Sequence, residues 1–237
     1  MSERTPANQG TGYTYMTLMM STANWHEPST KDDPKATART YVDDDDVEHT
    51  RYEIVFDDVV GYITGMVNDP GDFGDRLRIF MTGSEGTEFV LTVPYLHFGE
   101  GFLKIAPGIN FNNIVRLNPY RMTPKDKDRD IMGISVSQPP EDDPLNDEYG
   151  DWVKIKNHYV SKDDKGKYTN LYGMPEFPDK ASKDEVKLYF MQVLIFLKKT
   201  IDTLDCKAKE ASHFIDPVIP NQPINDGSEV QENDLPF

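Results

Sequence analysis

Between Tyr52 and Gln138 apolar residues recur at alternate positions in short runs, and turn residues separate the runs. Residues two apart share one face of a strand, so this alternation demands half-buried β-strands and leaves no room for long helices. The runs are YEIVF (52–56), RLRIFMTG (76–83), TEFVLTVPYLHFG (87–99), FNNIVRLNPYRM (111–122) and IMGISVSQ (131–138). Val59 to Val67 forms a further run that contains Gly61 and Gly65. Glycine inside a strand pattern marks a bulge or bend, so a long, curved strand is expected there. TPKDKDRD (123–130) reads as the loop of a hairpin. Beyond the acidic, Pro-rich stretch PPEDDPLNDEYGD come WVKIKNHYV (152–160), the turn KDDKGK and YTNLYGM. Many short strands with little helix between them predict a mainly β fold, a small β-barrel spanning 51–178.

The two ends read differently. Residues 1–50 form a polar, acidic arm that includes TANWHEPSTKDDP and the run Asp43 to Asp46. Only the patch of Tyr13, Tyr15, Met16, Leu18 and Met19 has the pattern to dock as an edge strand. One α-helix is expected in 179–211. Ser182 and Glu185 form a capping box, and no Gly or Pro follows from Ser182 to Asp216. Its centre, LYFMQVLIFL (188–197), is apolar on nearly all sides, which calls for burial on more than one face. Packing across the barrel and sharing with a second subunit, as a homodimer, both meet that need. Residues 212–237 are rich in Pro, Asn and acids without one basic residue, the composition of a disordered tail.

Charge and motif content exclude several classes. The 237 residues carry a formal charge of −16, much of it at the ends, which argues against indiscriminate binding to nucleic acid. Cys206 is the only cysteine, so an intrachain disulfide, a CxxC redox pair and a Cys-rich zinc site are excluded. The first ten residues, MSERTPANQG, hold no apolar signal region, and no stretch reaches the ~18 apolar residues of a membrane span. A soluble, cytoplasmic protein is expected. There is no P-loop, dinucleotide fingerprint, nucleophile elbow or HExxH pair, and the five histidines are scattered. Asp126, Asp128 and Asp130 mimic the opening of a calcium loop. Ile131 stands where that loop needs Gly, and Ser137 where it needs Glu. No catalytic residue, metal or cofactor is expected.

The chemistry lies in the strands. In 76–81, Leu77, Ile79 and Met81 share one face, leaving Arg76, Arg78 and Phe80 on the other. In 115–120, Val115 and Leu117 oppose Arg116, Asn118 and Tyr120; in 152–156, Val153 and Ile155 oppose Trp152, Lys154 and Lys156. Three strands thus set cations and at least one aromatic ring away from the expected core. The stretch 101–129 adds six bases, Lys104, Arg116, Arg121, Lys125, Lys127 and Arg129, against Asp126 and Asp128. Cations neutralise phosphates and aromatic faces stack on bases, the combination that single-stranded nucleic acid needs.

The chain ends Glu232-Asn233-Asp234-Leu235-Pro236-Phe237. This ending resembles the C-terminal tip of bacterial and phage single-stranded DNA-binding proteins, an acidic tail closing on an apolar residue, Pro and a final Phe. The resemblance implies an OB-fold barrel that binds single-stranded DNA without catalysis in replication, recombination or repair. It also implies that Asp234, Leu235, Pro236 and Phe237 recruit replication or repair proteins: polymerase, helicase, primase or nuclease. On that reading Arg76, Arg78, Lys104, Arg116, Arg121, Lys125, Lys127, Lys154 and Lys156 hold phosphates. Phe80, Tyr120 and Trp152 stack on bases, with Tyr95 and Phe98 as further candidates. Two other readings stand beside it. One is an acidic decoy that mimics DNA and occupies a host DNA-processing enzyme. The other is a small metal-dependent nuclease built from scattered Asp and Glu.

Overall fold

The structure, a computed structural model, describes residues 12–43, 45–71, 74–83, 85–125, 130–140, 152–164, 167–178 and 182–213. Ten strands form one mixed sheet. They are β1 (Tyr13–Met19), β2 (Asn24–Ser29), β3 (Thr37–Val42), β4 (Glu48–Phe56), β5 (Val59–Asp69), β6 (Arg76–Thr82), β7 (Glu88–Pro94), β8 (Val115–Met122), β9 (Ile131–Gln138) and β10 (Val153–Lys154). Their order is β10-β9-β8-β5-β6-β7-β1-β2-β4-β3. A separate hairpin pairs β11 (Val160–Lys162) with β12 (Tyr168–Asn170). Among the described residues three α-helices complete the fold: α1 (Glu100–Ile105), α2 (Lys183–Lys198) and α3 (Ile201–Ser212). None of the described helices is long and apolar enough to cross a membrane.

β5 organises the sheet. Its first residues pair with β8, ending at Gly61 opposite Val115, and the rest pair with β6, starting at Tyr62 opposite Thr82. A bulge separates Ile63 and Gly65, where the sequence pattern predicts a bend. Gly61 sits at the changeover, and a Cβ there would lie 2.7 Å from the Thr82 carbonyl oxygen. That neighbour is backbone in a paired strand and has little room to retreat. Gly61→Ala is therefore expected to cost about 1–3 kcal/mol of stability, read from urea unfolding. An unchanged midpoint would mean that β6 yields freely at this crossing.

The expected barrel is not closed among the described residues, and the reason is edge occupancy. Closure needs a strand on the free edge of β7, but β1 takes that edge in parallel, with Tyr13 opposite Glu88 and Thr17 opposite Thr92. The outer edge of β9 is likewise taken by β10. Residues 95–105 pack against β9 instead of a strand. The result is mainly β, but an open ten-stranded sheet.

Of the arm assigned to residues 1–50, the described part from Tyr13 onward belongs to this sheet, and residues 1–11 lie outside the described residues. β1–β2 and β3–β4 are hairpins joined by the pairing of β2 with β4, and the boundary drawn at residue 50 falls inside β4. Asp43, from the acidic run, forms the β3–β4 turn: its carboxylate accepts from the amides of Asp45 and Val47 and bonds the His49 ring. The His49 bond, then that of Val47, hold the Asp43 carboxyl below its ordinary range. Trp25 of β2 is fully buried, and its indole N–H donates to the Leu117 carbonyl at 3.2 Å.

Three further expectations change. The run 87–99 leaves the sheet at Pro94, which has no N–H to donate, and turns at His97 with φ of +64° to enter the short helix α1. The run 152–160 is not one strand: β10 ends at Lys154 and β11 begins only at Val160, because the Asn157 side chain accepts from the Tyr159 amide and the His158 amide turns to the Lys104 carbonyl. Val153, expected to face the core, is exposed. The single late helix is two. The capping box is present, with the Ser182 amide 2.7 Å from Glu185 Oε2. Thr200 then bonds the Leu197 carbonyl through its hydroxyl at 2.7 Å and separates α2 from α3.

The core lies between the inner face of the curved sheet and the helices. Leu77, Ile79, Met81, Val115, Leu117, Ile134 and Val136 join Phe98, Phe102, Val193, Leu197 and Leu204 in one cluster.

Candidate nucleic-acid interface

Cross-strand partners lie on the same face, so the pairing registers trace which side chains share the outer side of the sheet. Val60, Arg116, Ser137 and Lys154 form one row across β5, β8, β9 and β10. Tyr120 lies four pairs further along and so on the same face, opposite Gly133. Val60 and Tyr62 share a face of β5, and Tyr62 pairs with Thr82, which brings Arg78 and Phe80 of β6 onto the same side. The row through Arg78 continues as Thr92, Thr17 and His26. The row through Phe80 continues as Val90 and Tyr15. The alternation read from sequence for β6 and β8 therefore holds. The curved sheet joins both strands into one outer face.

On β8–β10 the side chains meet. The Arg116 guanidinium lies 4.5 Å from the Trp152 ring centroid, and its Nε is 3.4 Å from Asp58. Lys154 Nζ is 6.0 Å from the centre of the Tyr120 ring. Tyr120 lies over Gly133: a Cβ added there would be 2.8 Å from the phenol oxygen and 3.3 Å from the ring edge. The missing side chain thus seats the ring against backbone and fixes its orientation. The Trp152 indole N–H is buried with no partner among the described residues.

On β6, Arg76 is exposed and Arg78 reaches Asp69 at 2.8 Å. Lys154, Lys156 and Arg76 join no ion pair among the described residues, whereas Arg78 and Arg116 each carry an acidic neighbour. A phosphate on either of those two competes with a carboxylate.

Several candidates lie elsewhere. Phe98 is fully buried in the core and Tyr95 nearly so, so neither offers a ring face to a base. Burial, then the charge of Asp75, push the Tyr95 phenol up, and the Lys198 ammonium covers the ring at 4.5 Å. Both residues follow Pro94, where strand alternation has ended. Lys104 is on α1, paired with Glu100 at 2.5 Å, beside an apolar groove of about 610 Å³ rather than on the strand face. Arg121 is committed to structure, with Nε on Asp130 and Nη1 on the Ser21 carbonyl. The Thr123 hydroxyl first, and Arg121 second, hold the Asp130 carboxyl below its ordinary range. Lys125 is exposed in the β8–β9 loop. Lys127 and the tip residues Asp234, Leu235, Pro236 and Phe237 lie outside the described residues.

The structure also adds residues that sequence reasoning missed. Tyr15 lies in the Phe80 row. On β3–β4, Arg39 pairs directly with Arg51 and Tyr41 with His49. The Arg51 guanidinium stands 4.8 Å over the Tyr41 ring, and Arg39 is 3.1 Å from the buried Glu53 carboxylate. His26 Nδ1 meets the same carboxylate at 2.8 Å, which keeps this group on the outer face of β2 and β4. The signal was the alternation of TARTYV (37–42) before an Asp-rich turn, masked by the polarity of its neighbours.

No protein-family model, curated protein or solved structure matches the chain.

Proposed function

We propose that this chain binds single-stranded DNA, without catalysis and with tolerance for sequence, on the outer face of its large sheet, in replication, recombination or repair. The observation that carries the reading is the group on β8–β10: Arg116 against Trp152, and Lys154 beside Tyr120. Rings and cations held together in this way stack on bases and neutralise phosphates in one stroke. Arg76, Arg78 and Phe80 extend the same face across β6.

The chain order supports an OB-like reading of the central part. β5, β6 and β7 run as a meander, α1 follows, and the hairpin β8–β9 returns to β5. An OB-fold is a five-stranded, partly open barrel that binds through its second and third strands and two loops. Those strands correspond to β6 and β7, and the loops to the β5–β6 and β8–β9 connections. In this reading the acidic segment Asp234 to Phe237 recruits partner proteins, the Phe237 ring suiting an apolar pocket rimmed by bases. The charge of −16 and the acidic neighbours of Arg78 and Arg116 favour the decoy as the second reading.

The two tryptophans make the test direct. Trp25 is sealed in the core, whereas Trp152 lies on the candidate face. Titration with oligo-dT is expected to quench the Trp152 share of the fluorescence. Affinity should fall with salt at a log–log slope of about 0.7 per phosphate neutralised, and duplex should respond weakly. Absence of binding at low salt would reject the reading. Retention of a basic DNA-processing enzyme would then establish the decoy.

A further inference from the structure

The side of α2 that faces away from the core is as apolar as the side that packs. Val193 and Leu197 are 1% and 0% exposed, whereas Leu188, Met191 and Ile195 are 53%, 60% and 53% exposed. At 3.6 residues per turn, Asp184, Leu188, Met191, Ile195 and Lys199 fall in one stripe about 80° wide, directly opposite Val193. Solvent-facing helix surfaces are ordinarily polar, and a contiguous apolar stripe marks a surface that binds another. Beside it opens the groove of about 610 Å³, walled by Phe190, Met191, Leu194 and Leu96, the last 60% exposed.

We propose that a second copy of this chain covers the stripe, with α2 against α2 antiparallel about a two-fold axis near Met191 and Gln192. The order of residues along the stripe singles out this occupant. In that register Leu188 faces the partner's Ile195, and Asp184 at the helix start faces the partner's Lys199 at its end. Each contact occurs twice by symmetry, as an isologous interface requires. Asp184 and Lys199 are both exposed, and neither forms an ion pair among the described residues. A parallel arrangement would set Asp184 on Asp184 and Lys199 on Lys199, and is disfavoured by like charge. The groove beside the stripe gives partner side chains an apolar hollow to fill. This proposal stands apart from DNA binding, since no residue of the stripe lies on the sheet.

Sedimentation equilibrium of the full chain tests it. The expected mass is twice the 27.0 kDa of one chain. Met191→Glu should return the mass to one chain while circular dichroism stays unchanged. Asp184→Lys and Lys199→Asp should each weaken the dimer roughly tenfold, since every reversed charge acts twice. The double variant should restore it. The native charges also complement the helix dipole, so a purely intrahelical role would make the double variant worse, not better. A wild-type mass of one chain throughout would overturn the proposal and give the stripe to another occupant. Failure of the double variant to recover would overturn the antiparallel register. If Met191→Glu unfolds, the charge reversals decide alone. Loss of oligo-dT quenching with the dimer mass intact would count against the DNA reading only.

Discussion

Trp25→Ala lowers the free energy of unfolding by about 3–5 kcal/mol, the range for removing a large aromatic from a packed core. Trp25 has no exposed surface, and its indole N–H reaches the Leu117 carbonyl on β8, a strand far away in sequence. Through this side chain β2 is fastened to the centre of the sheet. Urea unfolding followed by circular dichroism measures the change without relying on the lost fluorophore. A loss near zero would show that β1 to β4 ride on the sheet without stabilising it. The large loss would show that the N-terminal segment is part of the cooperative unit.

The second large effect is on DNA. Trp152→Ala and Tyr120→Ala are each expected to weaken oligo-dT binding by ~1–3 kcal/mol, about 5- to 150-fold. The two rings lie beside different cations, Arg116 and Lys154, so the losses should approach additivity in the double variant. Anisotropy of a labelled oligonucleotide is the readout, because Trp152 is the quenching reporter. Gly133→Ala sharpens the test. Its Cβ would displace the Tyr120 ring without removing it, so affinity should fall part of the way towards the Tyr120→Ala value. Unchanged affinity in the double variant rejects this face of the sheet as the binding surface.

How much of this was legible in the sequence depended on the distance over which each feature is decided. The two faces of β6 and β8 followed from period-two alternation, and Leu77, Ile79, Val115 and Leu117 are buried as that period requires. The capping box at Ser182 and Glu185 was equally local. Tyr95 and Phe98 misled because alternation says nothing once the chain leaves the sheet. Past Pro94 the same apolar letters turn into the core under α1. Arg39, Tyr41 and Arg51 escaped notice because a polar hairpin at the end of a sheet buries few apolar residues and so leaves a weak period.

The sequence by itself determined the two faces of β6 and β8, the bend in β5 and the capped start of α2, because strand alternation, glycine in a strand and helix caps act over a few neighbouring residues. Only the tertiary structure decided which edges pair. β1 occupies β7 through Tyr13 to Thr17, β10 occupies β9, and a barrel gives way to an open sheet. Tertiary packing likewise decided that Trp25 is core and Trp152 is not, and that Arg121 serves Asp130 and Ser21. These outcomes rest on contacts between segments remote in the chain. Backbone edges carry no side-chain pattern that announces their partner, and the cover over a ring is supplied by whichever distant element arrives there.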